Sequence, residues 1–429
     1  MKFKIITLGC KVNTYESEYM LEHLISSGYI LCDDNPDIAI VNTCSVTNEA
    51  DKKSLKIIRK VKRDNPKCIL VVCGCSSENN REKYQSMDID ILIGNKNKSE
   101  IVSIINEYIQ NKNQYIYFSP KWITEFEDMQ VAKFTTHTRA FMKIEDGCDN
   151  FCSYCIIPFT RGSVRSKDFN KAIKEAKILA KNQHQEIVLT GIHTGAYNSN
   201  GHDLSDLIKE LAKINGLERI RISSIEITEL TPKFLEVLKT TPKICNHLHI
   251  PLQSGSDNIL KRMNRKYNKA YFKSIIAKIR EIRPDISITT DCIVGHPYET
   301  DADFQEYLDF CKYINFSKIH VFPYSVRKGT ASSLMPQVDF NTKKERTQKL
   351  LSLSQELELA YLKKFIGSTL EIITEEYYND YIIGHTSNYL KVLIKGDYKL
   401  NQIYLCKLIS SEDNYLYGDV ISCKALQNI

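Results

Sequence analysis

Apolar residues along this chain fall into two rhythms. Through residues 1–112, short unbroken apolar runs at 3–8, 38–41, 69–72 and 89–93 alternate with stretches of helical spacing at 15–26, 48–63 and 99–110. Runs bounded by turn residues are buried strands, and the longer periodic stretches are amphipathic helices, so this order predicts a parallel sheet clad by helices. The alternation returns six times over residues 134–365. Strands are expected at 140–145, 186–190, 219–223, 247–250, 286–294 and 318–322, with helices at 170–181, 205–214, 233–239, 271–282 and 303–313. Parallel strands with helical crossovers curve into a barrel whose functional residues gather at the strands' carboxyl ends. Residues 113–133 lack sustained periodicity and read as a linker with one short strand, and a long helix at 343–364 closes the middle region. After Gly367 the second rhythm takes over: TLEIITEEYY, YLKVLIKG, IYLCKLIS and LYGDVISC alternate as four or five antiparallel strands of a small barrel.

A chain of 429 residues has room for two or three domains at ~100–200 residues each. No stretch approaches the ~18 apolar residues of a membrane span, and the opening MKFKIITLGC is too short an apolar run for an export signal. The expected location is the cytoplasm, with no membrane partner. Fourteen cysteines in such a chain point to metal sites or reduced thiols rather than disulfides. The net charge of +6 is modest, so partners must be chosen by local patches.

Three of the cysteines crowd one loop, KIEDGCDNFCSYCIIPFTRG, as Cys148-x3-Cys152-x2-Cys155. Three thiolates at this spacing can hold three irons of a four-iron four-sulfur cubane and leave the fourth open for S-adenosylmethionine (SAM). A structural zinc knuckle would need a fourth ligand, and neither cysteine nor histidine follows Cys155 at a finger-like distance. Three more cysteines, Cys10, Cys44 and Cys75, each follow a predicted strand of the first region, beside Gly9, Thr43 and Gly74. Ligands sit beyond the carboxyl ends of parallel strands, so these positions converge on one edge and suit a second three-cysteine cluster. Cys73 lies inside its strand and is read as packed.

LGCKVNTYESE, VNTCSVTNEADKKS and Gly74-Cys75, followed by the Cys148 loop with Tyr154 before its last cysteine, resemble the methylthiotransferase family of radical SAM enzymes. Further segments agree in order: IVLTGIHTGAY, RISSIE, HLHIPLQSGSDNILKRMNRKY, DCIVGHPYET and KIHVFPYSVRKGT. Lys11-Val12-Asn13 is similar to the branch acting on N6-threonylcarbamoyladenosine in tRNA; Gln-Met-Asn marks the dimethylallyl-adenosine branch and Pro-Lys-Asn the branch acting on a ribosomal-protein aspartate. The family commonly continues Gly-Cys-Tyr-Ala-Gln, whereas this chain has Ser76, Ser77 and Glu78 after Cys75, which changes the packing around that ligand.

The resemblance implies an α/β architecture: a flavodoxin-like domain at 1–112, an open (β/α)6 radical SAM core at 134–365, and an RNA-binding TRAM barrel at 366–429. It implies two 4Fe-4S clusters, on Cys10, Cys44, Cys75 and on Cys148, Cys152, Cys155. It further implies SAM contacts at Tyr154, Thr190, Gly191, Ser224, Glu226, Gln253, Gly295 and Val321. One SAM would donate a methyl group to sulfur, and a second would give the 5′-deoxyadenosyl radical that activates C2 of the modified adenosine. Partners implied are a tRNA carrying N6-threonylcarbamoyladenosine, an electron donor such as flavodoxin or ferredoxin, and sulfur and iron-sulfur assembly factors.

Basic residues cluster twice, as Lys52, Lys56, Arg59, Lys60 and Arg63 on a predicted helix and as Lys261, Arg262, Arg265 and Lys266. Both are candidate RNA-phosphate contacts, with solvated faces as the plainer reading. The tail carries five lysines against eight acidic residues, so Tyr377 to Tyr417, eight tyrosines, are its better candidates for base stacking. His193, His247, His249 and His320 are candidate donors or bases, while Cys245, Cys292 and Cys311 sit in apolar segments and read as packed. A non-catalytic, zinc-bearing RNA-binding protein is the rival from another class. Anaerobic metal analysis separates the two: about eight irons per chain with matching sulfide are expected, and zinc without iron overturns the cluster reading.

Overall fold

The computed structural model describes residues 1–118, 125–135 and 137–424. Residues 119–124, within the segment read as a linker, and 425–429 of the tail lie outside the described residues. Among the described residues no helix is long and apolar enough to cross a membrane.

The first region is a six-stranded parallel sheet of β1 (Lys2–Thr7), β2 (Ile30–Leu31), β3 (Ile38–Thr43), β4 (Ile69–Gly74), β5 (Ile91–Ile93) and β6 (Tyr115–Tyr117), in the order β2-β1-β3-β4-β5-β6. Its helices are α1 (Lys11–Ser26), α2 (Asn48–Asp64), α3 (Cys75–Asn79), α4 (Arg81–Gln85) and α5 (Ile101–Asn111). Every residue of β3 and β4 is buried, as a sheet covered on both faces requires. The sixth strand comes from beyond residue 112: it is the one short strand expected in the linker, and it extends the first sheet.

The middle region opens with β7 (Ala140–Lys143), β8 (Glu145–Asp146), α6 (Ile157–Arg161), β9 (Arg165–Ser166) and α7 (Phe169–Lys181), then β10 (Glu186–Thr190), a small hairpin of β11 (Asn198–Ser199) and β12 (His202–Asp203), and α8 (Leu204–Ala212). It continues through β13 (Arg219–Ile222), α9 (Pro232–Thr240), β14 (His247–His249), α10 (Asp257–Arg262), α11 (Lys269–Ile282), β15 (Ser287–Val294), α12 (Asp301–Ile314), β16 (Lys318–Pro323) and α13 (Phe340–Lys363). Strands β7, β10 and β13 form one parallel triplet and β14, β15 and β16 another, joined by the bridge between Ile220 and Ile244. Six parallel strands in chain order make a half-barrel, open along the side between β7 and β16. Helix α1 contacts both β1 and β7, so the first sheet stands beside that opening.

Helix starts follow sequence chemistry. Thr47, Asp168, Thr231, Asn268, Thr300 and Asp339 each accept a backbone N–H at the first turn of their helix. Helix α1 differs: its N-cap is Cys10, whose side chain makes no capping bond, and no acidic residue stands in its first turn.

The tail is a closed barrel of β17 (Thr369–Tyr378), β18 (Tyr381–Thr386), β19 (Lys391–Lys395), β20 (Ile403–Glu412) and β21 (Tyr415–Cys423), in the order β17-β18-β19-β21-β20. Four of its seams are antiparallel as expected, and β19 on β21 is parallel. An odd ring of strands cannot alternate direction all the way round, so closure demands one parallel seam.

The barrel docks on the lower, amino-terminal end of the half-barrel through buried charge. Glu186 accepts from Arg221 at 2.5 and 3.2 Å and is faced by Arg219 at 3.8 Å and Arg139 at 4.0 Å. Arg219 and Arg221 then donate to barrel carbonyls, of His385 at 3.0 Å, Glu371 at 2.9 Å, Ser387 at 3.2 Å and Thr386 at 3.3 Å. Burial alone would raise the Glu186 carboxyl, but the arginines hold it down to about 2 from an ordinary 4.5. A depressed folded value contributes stability above pH 4.5 that is lost as pH falls through about 2. Glu186→Gln, which leaves the arginines uncompensated, is expected to cost ~3–5 kcal/mol at neutral pH. In thermal melts stepped down through that window the native chain should lose stability faster than the variant; parallel curves would overturn the assignment.

Candidate active site

The Cys148 loop follows β8 and is shaped by backbone. Gly147 sits at φ +95°, and a Cβ there would lie 2.0 Å from the Ser163 carbonyl oxygen, so any other residue would force the loop off its anchor. Cys148 N–H donates to Gly162 O at 3.0 Å, Cys155 N–H to Cys152 O at 3.0 Å, and Ser153 N–H to Met263 O at 3.0 Å. All three cysteines line a cavity of about 330 Å³ together with Tyr154, Ser224, Glu226, Gln253 and Asp291. Burial pushes the Cys155 thiol up to about 12. A bound metal reverses that cost, because a coordinated thiol is held deprotonated. Charge is ready for it: Arg265 Nη1 lies 3.4 Å from Cys152 Sγ, and although burial opposes it, Cys148 and Glu229 push the His193 imidazole on the cavity wall up to about 11.

The second triad lies across the mouth of the half-barrel. Cys10 precedes α1, Cys44 follows β3, and Cys75 opens α3 after Gly74 ends β4 at φ +103°. The three thiols lie within electrostatic reach of one another, and burial pushes Cys44 to about 12 and raises Cys75. Gly9 leaves room for them: a Cβ there would stand 2.7 Å from Cys44 Sγ. Cys73 is packed in the main apolar core instead. Among the described residues no three Cys, His, Asp or Glu side chains close on a single-ion position; a cubane takes each thiolate on a different iron and asks for a wider ring. Both triads have the donor set and setting of a cubane site.

Arg161, at the end of α6, ties the two triads together. Its Nε points at Cys75 Sγ at 3.3 Å, Nη2 donates to Asn13 Oδ1 at 2.8 Å, and Nη1 reaches Glu16 at 3.1 Å and Asp146 at 3.1 Å. Lys143 and Lys98 complete the cluster on Glu16 at 2.8 and 2.7 Å. Burial would raise both carboxyls, but these cations hold Glu16 and Asp146 well below the usual range. On the other edge, Arg327 after β16 donates to Asp51, Asn48 and Ser45, each at 2.7 Å, which anchors the Cys44 loop above the first cavity. Val46 and Thr47 of that loop line the cavity of the other triad.

A larger space of about 810 Å³ runs inside the half-barrel. Strand alternation sends His247 and His249 of β14, Thr289 and Asp291 of β15, and Lys318, His320 and Phe322 of β16 into it. Cys10 and Lys11 line its open side, and Tyr389 of the barrel closes its lower end. Ser224, Asp291 and Phe322 line both spaces, so the two adjoin.

Of the expected SAM contacts, Tyr154, Ser224, Glu226 and Gln253 line the first cavity and Thr190 and Gly191 the lumen. Gly295 and Val321 line neither. Gly295 N–H donates to Glu299 at 3.0 Å under α13, and Val321 packs on the main core because alternation turns Phe322 inward in its place. Glu226 is in an ion pair with Arg265. Arg265 is therefore drawn away from the basic surface cluster and into the site, while Lys261, Arg262 and Lys266 stay exposed. His193 pairs with Glu229 on the first cavity's wall; Cys245, Cys292 and Cys311 are buried in packed positions. Arg161 and Arg327 were missed as site residues. The TRG ending the cysteine loop and the SVRKGT after the last strand held them, but no spacing rule marks an arginine that reaches another region.

Residues 142–311 match the Radical SAM superfamily, and residues 2–94 match the Uncharacterized protein family UPF0004. The fold resembles the radical S-adenosylmethionine methyltransferase TsrM from Kitasatospora setae, with a TM-score of 0.57 at 12% identity over 78% of this chain and 77% of that one. Such a half-barrel, with a cysteine loop after its first strand, defines a radical SAM protein. The chain is 40% identical to the threonylcarbamoyladenosine tRNA methylthiotransferase MtaB of Bacillus subtilis (strain 168), over 97% of this chain and 95% of that protein. It is 34% identical to the tRNA-2-methylthio-N(6)-dimethylallyladenosine synthase of Caldicellulosiruptor saccharolyticus, over 98% and 92%. The chain belongs to the methylthiotransferase family of radical SAM enzymes.

Replacing Arg161 by Met strands Glu16 and Asp146 against fewer cations and removes the donor from Cys75. The expected result is a loss of ~3–5 kcal/mol, with iron per reconstituted chain falling by about half as one cubane of two is lost. Full iron content and an unchanged melt would show that the contact is incidental.

Proposed function

We propose that this chain inserts a methylthio group at C2 of N6-threonylcarbamoyladenosine beside the tRNA anticodon, in the cytoplasm. The observation that carries this reading is that the two spaces adjoin: one holds Cys148, Cys152 and Cys155, the other reaches Cys10, and they share a wall. A substrate base in the lumen would stand between both triads. The identity to the B. subtilis enzyme over nearly the whole chain supports the choice of base.

In this reading Cys148, Cys152 and Cys155 hold one 4Fe-4S cluster and Cys10, Cys44 and Cys75 a second. With SAM bound, these groups supply both the radical that activates the unreactive C2–H bond and the methylated sulfur that replaces the hydrogen. The chain's own residues prepare the setting. Arg265 at Cys152 and Arg161 at Cys75 offset thiolate charge. Tyr154, Ser224, Glu226, Gln253, Thr190 and Gly191 surround the space for SAM. The division into a first domain at 1–112, a core at 134–365 and a barrel at 366–429 assigns chemistry to the first two and RNA contact to the third. Exposed Lys52, Lys56, Arg59, Lys60 and Arg63 on α2 and the exposed Tyr377 and Tyr378 suit backbone and base contacts. A flavodoxin or ferredoxin supplies electrons, and assembly factors supply clusters and sulfur.

The test is mass spectrometry of tRNA nucleosides from cells lacking their own enzyme, with and without this chain. 2-Methylthio-N6-threonylcarbamoyladenosine should appear only with it; the methylthio group on dimethylallyl-adenosine instead would overturn the substrate. Purified Cys10→Ala should still cleave SAM yet give no methylthiolated product, and retained product would sink the two-cluster scheme.

A further inference from the structure

Lys11 is placed where a cation needs a reason. It is the first helical residue of α1, next to Cys10, and it lines the lumen. Among the described residues its ammonium has neither a hydrogen bond nor an ion pair. Its surroundings are already positive, since Arg139, Arg219 and Arg221 outnumber Glu186 and Glu375. Both carboxylates are committed elsewhere, Glu186 to Arg221 and Glu375 to Arg139 at 3.0 Å. A partly buried ammonium without a counterion is costly, and an arriving anion removes that cost. The start of α1 adds to the field: no carboxylate stands in its first turn and no side chain caps it. A second group on the same wall is also unpaired: the buried Nδ1 of His247 has no partner, while its Nε2 is 3.0 Å from Thr289 Oγ1.

We propose that Lys11 selects the substrate's N6 substituent, its ammonium taking the free carboxylate of the threonyl group while His247 meets the polar atoms beside it. This deepens the function proposed above and rests on it. An RNA phosphate is the other anion a lysine could hold. A base entering a recess trails its sugar and phosphate behind it, however, and the group on N6 leads. The Lys11 ammonium lies within electrostatic reach of Tyr389 and Arg221 at the lumen's lower end, so it meets the leading substituent. The dimethylallyl group has no charge to offer, so the same lysine would reject it by remaining unpaired.

The experiment compares two anticodon stem-loop RNAs, one with N6-threonylcarbamoyladenosine and one with its carboxyl group as the methyl ester. Preference for acid over ester is read as a KM ratio with the reconstituted enzyme and as a Kd ratio by fluorescence anisotropy, so a variant poor in turnover is still decided by binding. A charge-assisted contact predicts a preference of about ten- to a hundred-fold in the native enzyme. Lys11→Met should bring it close to one, and Lys11→Arg should keep most of it. A native enzyme without preference, or a Lys11→Met enzyme that keeps it, overturns the proposal. So does equal weakening on both RNAs, which would mark a phosphate contact. A native enzyme that modifies neither RNA but accepts dimethylallyl-adenosine fails the functional reading itself, and that outcome is distinct from these.

Discussion

Arg161 is the contact on which the rest of the architecture depends. A guanidinium with no access to water is tolerated only where acceptors surround it, and here they come from two regions: Asn13, Glu16 and Cys75 from the first sheet, Asp146 from the half-barrel. No single region could bury this arginine alone. The charge cluster is therefore a condition for the two regions to associate in one register, and that register brings the two cysteine triads to one mouth. The planar fork of arginine suits this role, since it fixes direction as well as charge.

The same device recurs at the other end of the half-barrel. Glu186, Arg219 and Arg221 lie where a closed barrel would have apolar layers, and they bind the tail through backbone carbonyls. A half-barrel cannot fill its own interior, so its inward positions are polar and its lower end is stoppered by Tyr389. That ring lies under Arg221, 4.8 Å from its centre, and is stacked on His247 at 4.9 Å. The interior thus becomes a recess with a polar wall, and the tail barrel serves as its floor.

Much of this was legible in the chain. The strand-helix alternation located the six core strands to within a few residues, because buried parallel strands are unbroken apolar runs with no competing period. The cysteine loop declared itself by spacing, and Cys10, Cys44 and Cys75 by their positions after strands. Three things were not legible. The short strand expected in the linker is Tyr115–Tyr117, but its mixed, half-exposed pattern does not show that it joins the first sheet as an edge. Val321 and Phe322 are equally apolar, and only the curvature of β16 decides which faces inward. Arg161, Arg265 and Arg327 act across long sequence separations, so they resemble any surface arginine until the fold brings their acceptors to them.

The pinning of the first sheet's carboxyl-terminal loops at two points, by Arg161 at Cys75 and by Arg327 at Ser45, makes the mouth a fixed gauge. Neither triad can approach the other without breaking an ion pair, a buried one at Glu16 or a half-buried one at Asp51. The adjustment needed to present a single base must then fall on the RNA, which has to unstack that nucleotide and extend it into a recess of set depth. Loops whose base beside the anticodon is already loosely stacked would give it up at least expense. On this architecture, the stiffness of the protein turns the flexibility of the anticodon loop into a criterion for which tRNAs are modified.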